Sequence, residues 1–242
     1  MLILNKIKTV QKKIVVKKEY NLLKKLASQT KERFTLNWAD RYPCLDDKTA
    51  FTGFDTHYVY HTAWAARVLK KINPAFHVDI SSYLYFSTIL SAFIPVRFYD
   101  YRPANVKLDN MSIHTADLTN LLFEDNTVES LSCMHVVEHI GLGRYGDPID
   151  YDGDLKAISE LIRVLKPGGN LLFVVPVGKP KIMFNAHRIY SFEQILDYFS
   201  ELSLTEYALI PDNAYEAGIL NNVEREIMEN QKYACGCFWF KK

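Results

Sequence analysis

The chain has no apolar run approaching the ~20 residues that span a membrane. Its lysine-studded N-terminus also lacks the apolar core of a secretory signal, so a cytoplasmic location is expected. Only four of 242 residues are cysteine (Cys44, Cys133, Cys235, Cys237), with no paired framework. That excludes a disulfide-stapled domain and suits reduced thiols. Cys235 and Cys237, two apart in an alternating run, are expected on one face of a strand. Internal repeats and low-complexity linkers are absent. Aromatic residues do not interleave with the basic ones and no nucleic-acid motif occurs, so no nucleic-acid partner is expected.

What is present describes a folded domain. Hydrophobic residues make up 48% and aromatics 13%, enough for a full core. The net charge of +1 hides an asymmetry. Residues 1–33 carry ten Lys/Arg against Glu19 and Glu32, whereas the remainder carries 19 basic and 26 acidic residues. Interleaved Ile7, Val10, Ile14, Val15, Leu22, Leu23 and Leu26 give a basic amphipathic helix. Such a helix either packs with its lysines solvated or contacts an anionic membrane surface. The domain organisation read from this is a basic helical extension and irregular linker over 1–50, followed by an α/β domain over 51–242.

His135 to Gly178 is the most informative stretch. HVVEHI is followed by a glycine-punctuated acidic loop and then DLKAISELIRVLKPGGNLLFVVPVG. Ile158, Leu161, Ile162 and Leu165 fall at helical spacing, with Asp154 as N-cap and Lys166, Pro167, Gly168 and Gly169 as the stop. Leu171 to Val175 reads as a strand buried on both faces. Strands are further predicted at Phe76–Ile80, Val96–Tyr99, Ser112–His114, Val128–Val136, Leu204–Ile210 and Tyr233–Phe240. Helices are predicted at His57–Ile72, Phe86–Phe93, Ser191–Ser200 and Glu216–Glu229. Helices alternating with strands build a doubly wound, Rossmann-like α/β sheet, whose ligands bind at the carboxyl ends of the strands.

The RVLKPGG run after a strand ending in an EH pair resembles the second half of class I S-adenosylmethionine-dependent methyltransferases. The longer pattern RYGDPIDYDGD…RVLKPGG…VPVG…FNAHRIYSF resembles a domain family of unknown function linked to surface-polysaccharide biosynthesis. The resemblance covers roughly Phe51 to Ile210 and implies a seven-stranded, mostly parallel sheet. It also implies S-adenosylmethionine as cofactor, with Asp79 near the end of the first strand, Ser81 and Ser82 in the turn after it, Asp100 after the second and Asp117 after the third. A carboxylate at Asp100 suits ribose because it accepts from vicinal hydroxyls. The chain departs from the family at the first turn, where Ser81-Ser82-Tyr83-Leu84-Tyr85 contains no glycine.

His135 and Glu138 stand just after the fourth strand as candidates for a general base toward a hydroxyl. HVVEH also matches an inverted zinc-peptidase signature, but the strand before it and Gly141 and Gly143 after it deny the helix that chemistry needs. Asp147, Asp150, Asp152 and Asp154 do not form an EF-hand, because Leu155 and Leu161 occupy its glycine and glutamate positions. No metal site is read from the sequence. Asn185, His187 and Arg188 follow the fifth strand as acceptor-binding candidates, Arg188 suiting a phosphate or carboxylate. Two functions remain open. One is methyl transfer to a small polar acceptor, a sugar in the resembled family's setting. The other is a methyltransferase-shaped binding module without cofactor, supported by the glycine-free turn.

Overall fold

The computed structural model describes residues 2–31 and 33–242. Glu32, counted in the charge above, lies outside the described residues. The chain divides into two compact units, Met1–Phe54 and Asp55–Lys242.

In the first unit, α1 spans Leu2–Ala27 with Lys24 and Lys25 in its last turn, where cations complement the helix dipole. Val10, Ile14, Leu22, Leu23 and Leu26 are exposed. The Tyr20 ring meets Trp38 edge-on at 4.8 Å, and the Lys17 ammonium lies 3.7 Å from the Trp38 ring centroid. Lys12 pairs with Asp46, and Lys48 with Glu19. No helix among the described residues is long and apolar enough to cross a membrane.

The second unit runs α2 (Thr56–Ile72), β1 (His77–Ile80), α3 (Leu84–Leu90), β2 (Val96–Asp100), β3 (Met111–Thr115) and β4 (Val128–Met134). It continues through α4 (Gly153–Val164), β5 (Leu165–Val177), β6 (Lys181–Met183), β7 (His187–Ile189), α5 (Phe192–Tyr198) and β8 (Ser203–Ile210). The last elements are α6 (Ala214–Ala217), β9 (Leu220–Asn221), α7 (Arg225–Glu229) and β10 (Ala234–Lys241). The sheet order is β3-β2-β1-β4-β5-β10-β8-β9, with β6 and β7 forming a separate hairpin. β1 to β5 pair in parallel, while β10 is antiparallel to both neighbours. This is the Rossmann-like doubly wound sheet, with eight strands rather than the expected seven. The eighth is β9, a two-residue edge strand on β8. It interrupts the stretch expected to be one helix over Glu216–Glu229, where Gly218 (φ 69°) and Asn222 (φ 49°) take left-handed backbone.

Local chemistry explains the element ends. The Asp55 carboxylate caps α2 by accepting from the Tyr58 amide at 3.2 Å, and Asn73 closes that helix in the left-handed region. Ser191 and Gln194 form a reciprocal capping box on α5. Asp154 does not cap α4: it sits inside the first turn, buried, accepting from the Tyr190 hydroxyl at 3.0 Å. The Pro-Gly-Gly segment does not break the chain away from the sheet either. β5 runs through it, and a Cβ at Gly169 would lie 2.8 Å from the Lys166 carbonyl, so only glycine fits.

β5 is buried on both faces, which its unbroken apolar run anticipates. Leu171, Phe173, Val175 and Val177 join one core with α4 and α5, including Ile158, Leu161 and Ile195. Leu172 and Val174 join the other with Trp64, Val68 and Leu69 of α2. Cys235 and Cys237 both lie in this second core, on one strand face as their spacing indicates.

Candidate functional site

The carboxyl ends of β1 to β4 open on one edge. At the first of them Ser81 adopts φ 54°, a left-handed conformation that glycine takes at no cost. Its amide donates to the Tyr99 carbonyl at 2.7 Å and its hydroxyl to the same oxygen at 3.2 Å. Ser82 is buried, its hydroxyl accepting from the Met134 amide at 3.0 Å. Asp79 is fully buried. One oxygen accepts from the Ser82 amide at 3.3 Å and the other from the Ser87 hydroxyl. Burial pushes its carboxyl up to about 6 despite those bonds. Asp79 thus holds the turn from inside and offers no oxygen to a ligand.

Asp100 accepts from the Arg102 amide at 2.7 Å, and its own carbonyl accepts from the Ala116 amide at 3.1 Å, tying the ends of β2 and β3 together. Asp117 is exposed and accepts from the amide and hydroxyl of Thr119 at 2.8 and 2.7 Å. Ser81 and Asp117 line one cavity of about 120 Å³ with Tyr101, Leu118, Val136 and Tyr145. Its cover is the loop after β4. There Asp147 gathers the amides of Gly141, Gly143 and Tyr145, and the Arg102 guanidinium stacks 4.5 Å from the Tyr145 ring. Asp150 likewise accepts from the Asp152 amide and Lys156. The acidic loop residues therefore fold their own loop.

Tyr83 and Tyr85 are 41% and 68% exposed, so neither ring is sealed into the cleft. Tyr83 packs edge-on against Tyr58 of α2 at 5.0 Å, and Tyr58 stacks on His135 at 5.4 Å.

His135 takes φ 57° directly after β4. Its Nδ1 pairs with Glu138 Oε1 at 2.8 Å and its Nε2 faces Cys235 Sγ at 3.4 Å. His57 and His61 of α2 lie 5.4 and 5.1 Å from it, ring to ring. Burial pushes His57 and His135 down to about 4, and holds His61 well below its ordinary value. Desolvation lifts Glu138 to about 7, and its Oε2 is buried without a hydrogen-bond partner. A carboxylate of that value exchanges protons near neutral pH. His139 anchors through Nδ1 to the Ala186 carbonyl at 2.6 Å, leaving its Nε2 3.7 Å from Glu138 Oε1.

Of the residues after β5, Asn185 is exposed, while His187 is half-buried and stacked on Tyr233 at 4.9 Å, with its Nε2 unpartnered. Arg188 is different from its expected role. It is 5% exposed and donates to the Ile140 and Tyr151 carbonyls at 2.6 and 3.0 Å, beside Asp154 at 3.5 Å. It braces the loop after β4 and has no free fork for an anion. Sequence reasoning gave Cys235 a strand face but no site role, and gave His57, Tyr58 and His61 only as part of the helix expected over His57–Ile72, which forms one wall of the cluster. Their helical spacing on α2 was the one visible signal for that wall.

A family model described as "Caenorhabditis protein of unknown function, DUF268" matches residues 105–201. No curated protein matches the chain. Among solved structures, a protein of Galdieria sulphuraria described as a candidate sarcosine dimethylglycine methyltransferase is 15% identical with a TM-score of 0.53, covering 76% of this chain and 86% of that one. A Thermotoga maritima S-adenosylmethionine-dependent methyltransferase, described as a possible histamine N-methyltransferase, is 14% identical with a TM-score of 0.51, covering 77% and 90%. The YcgJ protein of Bacillus subtilis is 15% identical with a TM-score of 0.51, covering 77% and 99%. The chain shares the fold of these structures.

Proposed function

We propose that this protein is a class I S-adenosylmethionine-dependent methyltransferase acting on a small polar acceptor, a sugar being the finer reading. The observation that carries the proposal is the Ser81–Asp117 cavity at the strand ends, with the buried, unpartnered Oε2 of Glu138 nearby in the segment after β4. Val136 and Ile140 line that cavity and bracket Glu138 in the chain.

The residues present fit the nucleoside half of the cofactor. Ser81 reproduces the backbone geometry of the missing glycine, Asp117 is exposed at the cavity, and Asp100 lies at the neighbouring strand end. A volume of about 120 Å³ is below the roughly 300 Å³ at which ligand pockets begin, so the Gly141–Asp150 loop has to lift. When bound, the cofactor supplies an electrophilic methyl group. Glu138 takes the acceptor's proton at Oε2, while His135, with Nδ1 on Oε1, orients the carboxylate. The β4 loop and α2 exclude water, which raises the worth of each charge inside. His187 and Asn185 hydrogen-bond acceptor hydroxyls. Contact of α1 with an anionic membrane surface belongs to the same reading, supported by its lysines and its uncovered Val, Ile and Leu residues.

A binding module without cofactor use is the second reading. It is favoured by the Tyr58, Tyr83 and His135 rings packed together beside the first turn. Calorimetric titration with S-adenosylmethionine and S-adenosylhomocysteine separates the two. Micromolar binding, weakened about 10- to 100-fold in Asp117→Ala as a charged hydrogen bond is lost, supports the enzyme. Folded protein that binds neither supports the module.

A further inference from the structure

Cys235 on β10 has no part in the proposed reaction, yet its sulfur points at the histidine cluster. We infer that His57, His135 and Cys235 form a binding site for a divalent transition metal, with zinc the ion that suits their chemistry. Their candidate ligand atoms all lie within 4.8 Å of one another. A tetrahedral ion with ~2.0–2.1 Å bonds to nitrogen and ~2.3 Å to sulfur sets its ligand atoms about 3.3–3.6 Å apart. His135 Nε2 and Cys235 Sγ stand 3.4 Å apart, already at that spacing. The His57 ring, its centroid 5.4 Å from that of His135, needs to reorient and approach by at most about 1.5 Å to complete a three-ligand face.

The surroundings match what holds a metal-bound imidazole. Nδ1 of His135 meets Glu138 Oε1 at 2.8 Å, the carboxylate–histidine pairing that fixes the tautomer and leaves Nε2 for the ion. The His57 ring packs against the Tyr233 ring, centroid to centroid at 5.1 Å. Two orphaned polar atoms border the cluster: Nε2 of His61, wholly buried with its ring 5.1 Å from His135, and Oε2 of Glu138. Buried polar atoms are rarely left unpaired, and a water on the ion's fourth position gives them a partner. One thiolate and two imidazoles favour zinc over oxygen-seeking calcium or magnesium. His57 is the least buried of the three. On binding, the Cys235 thiol releases its proton to solvent, and the ion ties α2 to β10 across the loop after β4. The site does not depend on methyl transfer, in which neither His57 nor Cys235 handles a proton.

The test uses the full chain, stripped with a chelator and then titrated with Zn²⁺ and, separately, with Co²⁺. One ion per chain is expected, and bound Co²⁺ shows a thiolate-to-cobalt charge-transfer band with tetrahedral ligand-field bands. Cys235→Ser removes the charge-transfer band. His57→Gln, placed at the rim where folding is least disturbed, weakens binding at least about tenfold, and Glu138→Gln by about 10- to 100-fold. Cys44→Ser, in the other unit, leaves the titration unchanged. Absence of a stoichiometric ion in folded protein, a Co²⁺ spectrum without the thiolate band, or affinity untouched by His57→Gln overturns the inference. S-adenosylhomocysteine titrated into the metal-free protein keeps failure here distinct from failure of the methyltransferase reading.

Discussion

The ends of β2 and β3 and the end of β4 belong to one sheet edge but are built on opposite principles. At the first, the Asp100 and Asp117 side chains accept hydrogen bonds from residues two positions onward in their own turns. At the second, His57, His61, His135, Glu138 and Cys235 come from α2, the β4 loop and β10 and are partnered across the fold. The contrast is one of desolvation. A carboxylate at the surface keeps its water and waits for a ligand, whereas the cluster has given up water and therefore needs either each other or a bound group.

Acid titration breaks the comparison most severely. Burial lowers His57 and His135 to about 4, and His77, held between the Ser130 and Ser132 hydroxyls, to about 3. A base lowered on folding binds protons more readily when unfolded. Its stabilisation is therefore full above about pH 6.5 and lost as pH falls toward the folded value. His77 alone accounts for on the order of 5 kcal/mol between pH 6.5 and 3. Asp79 opposes this, because its raised value gives stability below about pH 3.8 that is lost as pH rises through about 6. Urea unfolding from pH 4 to 8 should steepen on the acid side, and His77→Gln should flatten it; an unchanged slope in the variant rejects this account.

Next comes Glu138→Gln, expected to lower turnover by about 10²–10⁴ while S-adenosylhomocysteine affinity holds. Wild-type turnover should rise with pH through about 7, as Glu138 ionises. A loss of affinity instead of turnover would place Glu138 in the nucleoside pocket. Gly141→Ala is a smaller perturbation of the boundary between the regions. Its Cβ would lie 2.0 Å from the Asp150 carbonyl oxygen, so the loop has to shift, on top of about 1–3 kcal/mol for a non-glycine residue at φ 80°. Limited proteolysis should then cut within residues 141–152, and protection equal to wild type would show the cover is not strained there. The smallest effect belongs to Tyr85→Ser, with stability within about 0.5 kcal/mol and nucleoside binding unchanged. Weaker binding would mean that the tyrosine reaches into the cleft.

Much of this was legible in the chain. The β5 strand follows from an unbroken apolar run buried on both faces, and RVLKPGG announces the α4–β5 unit; β2 and β3, half-exposed, were readable from short runs between turn residues. Ser81, Asp100, His135 and Glu138 were readable as strand-end residues by position alone. Their states were not. Asp79 and Arg188 looked like ligand-binding groups and are internal braces, since a charge's partners at distant positions carry no local signature. The segment from Glu216 to Glu229 misled for a related reason: it was expected as one helix, but Gly218 and Asn222 turn the backbone and pairing with β8 claims Leu220.

The sequence alone determined the doubly wound architecture and the edge on which a ligand must lie, because periodicity and turn chemistry act over a few residues. Only the tertiary structure decided which strand-end carboxylates are open and which are sealed. It alone also brought Cys235 to His135 across 100 positions. Desolvation and close approach are properties of packed neighbours, and no stretch of chain encodes its neighbours by itself.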